Sequence, residues 1–339
     1  MPQRSPLLII RANNIIEIRS DILMNPLNLI KSPKQPARST GAVLGLIILL
    51  SGASSAWAAT GDFAITSLTD SLSSISGAGA NVIVLETPDG LALVDSGTPE
   101  QAEGLLEFID ENFDGAPIRV LFNTNWRPEH TGANEAIAQR GATIIAHENT
   151  RLWMGTEYYV EWEEENYMPR PESALPTATF YSSDLQPLIY ELGGHRIEYG
   201  HLAEAHTDGD IYVRFTDDDV IAVGDVLAVD AFPLLDYSTG GWIGGAQAAT
   251  GRLIELAGPS TKFIAAEGTP QTRAALEAQL VMLDELRERI RLQMIQGKSV
   301  DEILAENVTE GYESLPDPKR FVSNVYNGLW WGGRIRGPI

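Results

Sequence analysis

The chain has 339 residues, 24 basic and 46 acidic side chains, a formal net charge of −22 and no cysteine. An apolar fraction of 44% and a charged fraction of 21% exclude a disordered chain, and the length suits one large α/β domain or two small ones. The missing cysteine excludes disulfides and thiolate ligands, so any metal must be held by His, Asp or Glu.

In chain order, residues 41–50 (GAVLGLIILL) form a short apolar run after Lys31, Lys34 and Arg38, and Ala56-Trp57-Ala58 follows as an A-x-A cleavage pattern. The run is well short of the roughly 20 apolar residues that span a bilayer. Residues 1–58 therefore read as a leader and signal peptide, with Met24 as the start and cleavage after Ala58. The expected product, residues 59–339, is periplasmic or secreted, with no stable membrane insertion. Six of the basic and two of the acidic residues fall in 1–58, leaving 18 basic and 44 acidic side chains and a net charge of −26. Such a surface repels nucleic acid and anionic membranes and by itself specifies no substrate. The expected partner is a small-molecule substrate or ligand.

Segments 81–86 (NVIVLE) and 91–94 (LALV) read as buried strands joined by the turn Thr87-Pro88-Asp89-Gly90. A helix opens at Thr98-Pro99, carries Leu105, Leu106, Phe108 and Ile109 as its apolar stripe, and ends at 112–115. Strand 118–122, the polar segment NTNWRPEHTGAN, a helix at 133–140 and strand 142–146 follow. This alternation predicts an α/β sheet. Residues 151–175, rich in acids and aromatics, read as an excursion, either a flap over a site or an ordinary surface segment. A second strand-rich stretch runs from Leu188 to Val223, and residues 272–296 form a long amphipathic helix that begins a helical extension.

Of the five histidines, His195 and His201 fall in an expected strand pair and His147 at a strand end, where it can line a rim. His130 and His206 stand in polar loops directly beside strands, where α/β folds place their sites.

The runs GANVIVLETPDGLALVDSG, NTNWRPEHTGANEAIAQRGATIIAHENT, AHTDGDIYVRF, IAVGD and KFIAAEGTP resemble, in order and spacing, the motifs of the metallo-β-lactamase superfamily, over about residues 68–276. The resemblance implies an αββα sandwich with a metal site at one edge of its two sheets. Such enzymes use one or two metal ions, often zinc, to activate water against an ester, thioester, amide or phosphodiester. The family's His-x-His-x-Asp-His run falls on Asn125, Arg127, Glu129 and His130. The later histidine is retained as His206 and the bridging aspartate as Asp225, while the last histidine falls on Glu267.

Three histidine ligands are thus absent. Asn is a poor metal ligand, and the guanidinium of Arg stays protonated and is effectively none. A binuclear zinc centre is not expected. His130, His206, Asp225 and Glu267 are the candidate ligands of a single divalent ion. At the second metal position Glu129, His130, Asp225 and Glu267 can all supply donors, an oxygen-rich set that tolerates zinc and also suits iron or manganese. Glu129 is the candidate general base, and Arg127 the candidate electrostatic substitute for the first metal. The alternative is that Arg127 and hydrogen bonds neutralise the carboxylates with no metal bound.

Asp208 and Asp210 are candidate supporting groups, Asp95 a loop stabiliser and Trp126 a packing residue. Trp153, Tyr158, Tyr159, Trp162 and Trp242 can form an aromatic pocket if 151–175 folds over the site. Two functions follow. One is an exported, divergent single-metal hydrolase of an ester, lactone, amide or phosphodiester. The other is a non-catalytic binding or accessory protein that keeps the fold. Fold alone does not decide between them.

Overall fold

The computed structural model describes residues 62–181 and 186–335, with the side chains of 331–335 set aside. The expected leader and cleavage site lie outside the described residues. Among the described residues no helix is long and apolar enough to cross a membrane.

The chain begins with an antiparallel meander, β1 (Ala64–Ser67), β2 (Leu72–Ser76), β3 (Val82–Thr87) and β4 (Gly90–Val94). After α1 (Ala102–Asn112), the strand β5 (Ile118–Phe122) lies parallel to β4. The short helices α2 (Pro128–Thr131) and α3 (Asn134–Gln139) lead to β6 (Thr143–His147), parallel to β5. Helix α4 (Glu148–Met154) precedes a separate hairpin of β7 (Tyr158–Val160) and β8 (Glu165–Tyr167), and β9 (Ala178–Phe180) closes a seven-stranded sheet beside β6. A six-stranded sheet follows, made of β10 (Leu188–Leu192), β11 (His195–His201), β12 (Ile211–Phe215), β13 (Val220–Gly224), β14 (Lys262–Ala265) and β15 (Gln271–Thr272). Helix α5 (Ile243–Leu256) crosses over between the parallel strands β13 and β14. Helices α6 (Arg273–Ile295), α7 (Val300–Ala305) and α8 (Pro318–Ile335) complete the chain.

Burial explains the layering. β3 and β4 are buried along nearly their whole length, because both faces of the first sheet are covered. One face contributes Leu85, Val94, Val120 and Phe122 to a core shared with Ile197, Val213, Phe215 and Ile264 of the second sheet. Its other face, with Val84, Leu93 and Ile144, packs on Leu105 and Ile109 of α1 and Ile137 of α3. The outer face of the second sheet, with Ile221, Val223 and Phe263, packs on Leu253 of α5 and Leu276 of α6. The architecture is therefore helix, sheet, sheet, helix, as expected. A further apolar cluster joins α5 to α6, α7 and α8. Truncating Phe122, fully buried between the sheets, to Ala would cost about 3–5 kcal/mol.

Candidate functional site

Four strand ends converge at one edge of the sandwich. Asp95 follows β4, Thr124 to His130 follow β5, Asp225 follows β13 and Glu267 lies two residues beyond β14. The loops after β5 and β13 approach closely because Gly224 has no side chain and a left-handed backbone at φ 53°. A Cβ there would lie 2.5 Å from Oγ1 of Thr124.

The first group of contacts centres on His130, which is fully buried. Its Nδ1 lies 2.8 Å from Oδ2 of Asp95, and its Nε2 lies 2.8 Å from Oδ2 of Asp225. The second contact is an ion pair in distance without the alignment of a hydrogen bond. Burial alone would lower the imidazole pKa, but Asp95 and Asp225 together raise it well above the ordinary value. The two carboxylates thus favour the imidazolium form of His130. Burial would raise the pKa of Asp225, yet His130, His206 and Arg127 hold it far below the carboxylate range. Oδ2 of Asp225 also accepts from Nδ2 of Asn125 at 2.8 Å and lies 3.4 Å from Nδ1 of His206. Asp95 holds the other side of this group. It adopts φ 62°, and its carboxylate accepts from the backbone N–H and the hydroxyl of Thr124, each at 2.7 Å. Such a backbone costs of order 1–3 kcal/mol in a non-glycine residue, which these contacts offset.

The second group centres on Arg127, only 6% exposed. Its Nε donates to Glu129 at 3.0 Å and its Nη2 to Glu163 at 2.5 Å. The guanidinium carbon lies 5.4 Å from the ring centre of Trp126 and 5.6 Å from that of Trp162. Trp162 and Glu163 sit in the turn between β7 and β8. Glu163 accepts from the Tyr167 hydroxyl at 2.8 Å, and Trp162 donates to Asp236 at 3.2 Å. The excursion therefore is a flap whose tip clasps the site arginine. Burial raises the Glu129 carboxyl, but Arg127 and His130 bring it below its ordinary value. A cavity of about 260 Å³ opens beside these groups, with Arg127, Glu129, Trp162, Asp225 and Glu267 among its lining residues.

A family model described as the metallo-beta-lactamase superfamily matches residues 76–288, more than half of the chain. The chain belongs to the metallo-β-lactamase superfamily. Solved structures with the same fold include a metallo-beta-lactamase from Pontibacter korlensis, at 18% identity and a TM-score of 0.53, covering 66% of this chain and 99% of that one. The stereoselective inverting sec-alkylsulfatase Pisa1 from Pseudomonas sp. is 16% identical with a TM-score of 0.59, over 82% of this chain and 52% of its own. The DIM-1 metallo-beta-lactamase is 14% identical with a TM-score of 0.52, over 66% and 97%. A comparison with curated proteins found no match.

Members of the metallo-β-lactamase superfamily usually bind metal ions, and the side chains present here do not fit that centre. Asn125 is engaged at both ends: its Nδ2 faces Asp225, and its Oδ1 accepts from the backbone N–H of Arg127 at 2.9 Å. Arg127 places a cation in the ligand loop and engages Glu129. Both nitrogens of His130 face carboxylates. Among the described residues no three His, Asp or Glu side chains form a metal-holding group. His130, His206 and Asp225 do come together, whereas Glu267 lines the same cavity without a hydrogen bond or ion pair to them.

The remaining expected positions divide. Asp210 accepts from the N–H and hydroxyl of Thr207 and lies 3.6 Å from Nδ1 of His206, so it braces the histidine loop. Asp208 instead accepts from the Trp153 indole at 2.8 Å, and burial pushes its carboxyl up to about 6. His147 does not line the cavity. It is buried at the end of β6 and stacked on His201, ring centres 3.8 Å apart. The expected aromatic pocket is corrected as well. Trp153 and Tyr158 pack beneath Trp126 with Tyr167, Tyr159 faces solvent, and Trp242 belongs to the helical cluster. Only Trp162 of that set lines the cavity. Glu163 was not singled out from the sequence. It is one of four acids between Glu161 and Glu165, and no spacing rule marks it.

Proposed function

We propose that this exported chain is a metallo-β-lactamase-fold binding or accessory protein, whose hydrolytic metal centre has been replaced by a metal-free, charge-compensated pocket for a small molecule. The observation that carries this reading is Arg127. A permanently protonated guanidinium, buried between two indoles and ion-paired to Glu129 and Glu163, stands at a family ligand position. It supplies positive charge that compensates site carboxylates, and the His130 imidazolium does the same for Asp95 and Asp225. Asp95, Asp225, Glu129 and Glu163 each already meet one of these two groups, and Arg127 itself repels a divalent ion from the ligand loop.

A second reading, a hydrolase holding one divalent ion at His130, His206, Asp225 and Glu267, is favoured by one observation. Both ring nitrogens of the buried His206, and Nε2 of His130, lack a hydrogen-bond partner. Elemental mass spectrometry of residues 59–339, purified without chelators and then incubated with zinc, iron or manganese, separates the two. The binding-protein reading expects far less than one ion per chain in every case. A ratio near one, lost in both Asp225→Ala and His130→Ala, would replace it with the hydrolase reading and call for a screen of ester, lactone, amide and phosphodiester substrates.

A further inference from the structure

The cavity has an unpartnered guanidinium N–H, an unpartnered carboxylate and an apolar wall. Arg127 has five N–H donors, and Nε and Nη2 are taken by Glu129 and Glu163, but its buried Nη1 has no partner. An unpaired charged donor in a low-dielectric site is costly, so an acceptor supplied from outside gains more there than on the surface. Glu267 lines the same cavity, is exposed, and has no hydrogen-bond or ion-pair partner among the described residues. Leu227, Val229, Phe232 and Leu234 supply the apolar wall. The volume of about 260 Å³ corresponds to roughly nine waters at their share of liquid volume, which suits a molecule of about ten heavy atoms.

We propose that this cavity binds an apolar α-amino acid, its carboxylate meeting Arg127, its ammonium meeting Glu267 and its side chain lying on the 227–234 wall. A simple carboxylic acid fits less well. Glu129, Glu163, Asp225 and Glu267 all line the cavity against Arg127 and Arg320, so a lone anion meets an excess of negative charge. A simple amine leaves Nη1 of Arg127 without an acceptor. Only a molecule carrying both groups answers both residues. Nη1 is closed to solvent, so carboxylate entry requires that the turn carrying Trp162 and Glu163 move aside.

The proposal rests on the metal-free reading of the site, and its test separates the two. Residues 59–339, with metal content measured on the same sample, are titrated calorimetrically with L-phenylalanine, L-leucine, 3-phenylpropanoate and 2-phenylethylamine. L-phenylalanine or L-leucine is expected to bind, with both single-charge compounds at least tenfold weaker than L-phenylalanine. Glu267→Gln, an exposed substitution that leaves the buried network intact, is expected to weaken amino-acid binding at least tenfold while 3-phenylpropanoate binds no more weakly than before. No binding by a metal-free sample overturns the proposal alone. So does equal binding of phenylethylamine, or an unaltered affinity in Glu267→Gln. One ion per chain overturns the metal-free reading and the proposal with it.

Discussion

Replacing Arg127 by Met tests how much of the site's stability one cation holds. The unbranched methionine keeps an apolar stem between Trp126 and Trp162 but removes the charge. Glu163, whose side chain is 18% exposed, and Glu129, at 35%, are then left without their shared cation. Breaking a buried ion pair by deleting one partner costs about 3–5 kcal/mol, because the remaining charge stays desolvated. Glu129 is exposed enough to recover part of its hydration, so the lower end applies and a loss of about 3 kcal/mol is expected. Urea denaturation of residues 59–339 at pH 7 measures it, with the midpoint shifting at constant slope. The charge argument makes a further demand. In the double variant Arg127→Met/Glu163→Gln the stranded carboxylate is gone, so about 1–2 kcal/mol should return. A loss below about 0.5 kcal/mol in the single variant would show that Arg127 is a bystander. A double variant no more stable than the single one would show that packing between the indoles, and not charge, is what the arginine provides.

Two further outcomes follow from the site and its surroundings. Burial, and then the neighbouring His201, push the His147 imidazole from 6.5 down to about 3. The folded chain therefore keeps it neutral while the unfolded chain takes up a proton, and stability is complete above pH 6.5 and lost as the pH falls towards 3. The full effect is at most about 5 kcal/mol, of which about 2 kcal/mol is gone by pH 5. His130 does not oppose this, because its raised value leaves its contribution intact below pH 6.5. Ring titration by NMR checks the assignment, and a His147 that titrates near 6.5 would refute it. The triple substitution Asn125→His, Arg127→His and Glu267→His restores three imidazoles at the family positions. It is expected to bind zinc at close to stoichiometric ratio by elemental mass spectrometry. Failure to gain any ion would mean that the strand ends no longer present these positions to a common point.

What the sequence made legible and what it did not divide along the range of the interactions. The strands β3 to β6 and the helix α1 follow from local apolar pattern and turn chemistry, because each depends on residues a few positions apart. Asn125, Arg127, Glu129 and His130 were placed together for the same reason: one six-residue loop carries them all. The clasp on Arg127 was out of reach. It joins the arginine to Glu163, 36 residues away, through a hairpin whose three-residue strands leave no strong periodic signal. The assignment of Trp242 to the pocket failed similarly. An indole next to loop glycines looks available, yet here it docks on Glu204 and packs into the helical cluster.

The separation between loop shape and loop chemistry explains how the fold persists after its ligands are gone. The bend after β5 is closed by Oδ1 of Asn125 accepting the N–H of Arg127, and Pro128 then starts α2. Neither device needs a histidine. The loop's far end is tied by Thr131, whose hydroxyl donates to the carbonyl of Arg127 at 2.9 Å. A loop held by Pro128, by Thr131 and by the amide that stands in place of a histidine can therefore exchange imidazoles for an amide and a guanidinium without losing the convergence of strand ends. The charge at the centre is what changes. In the proposed metal-free site, Asp225, Asp95 and Glu129 remain as carboxylates that need compensation from within the protein. Arg127 lies in contact with Glu129 and Glu163, and His130 lies between Asp95 and Asp225, which favour its imidazolium form. In the proposed binding protein, the identity of residue 127, more than the number of histidines lost, decides what kind of ligand the pocket accepts.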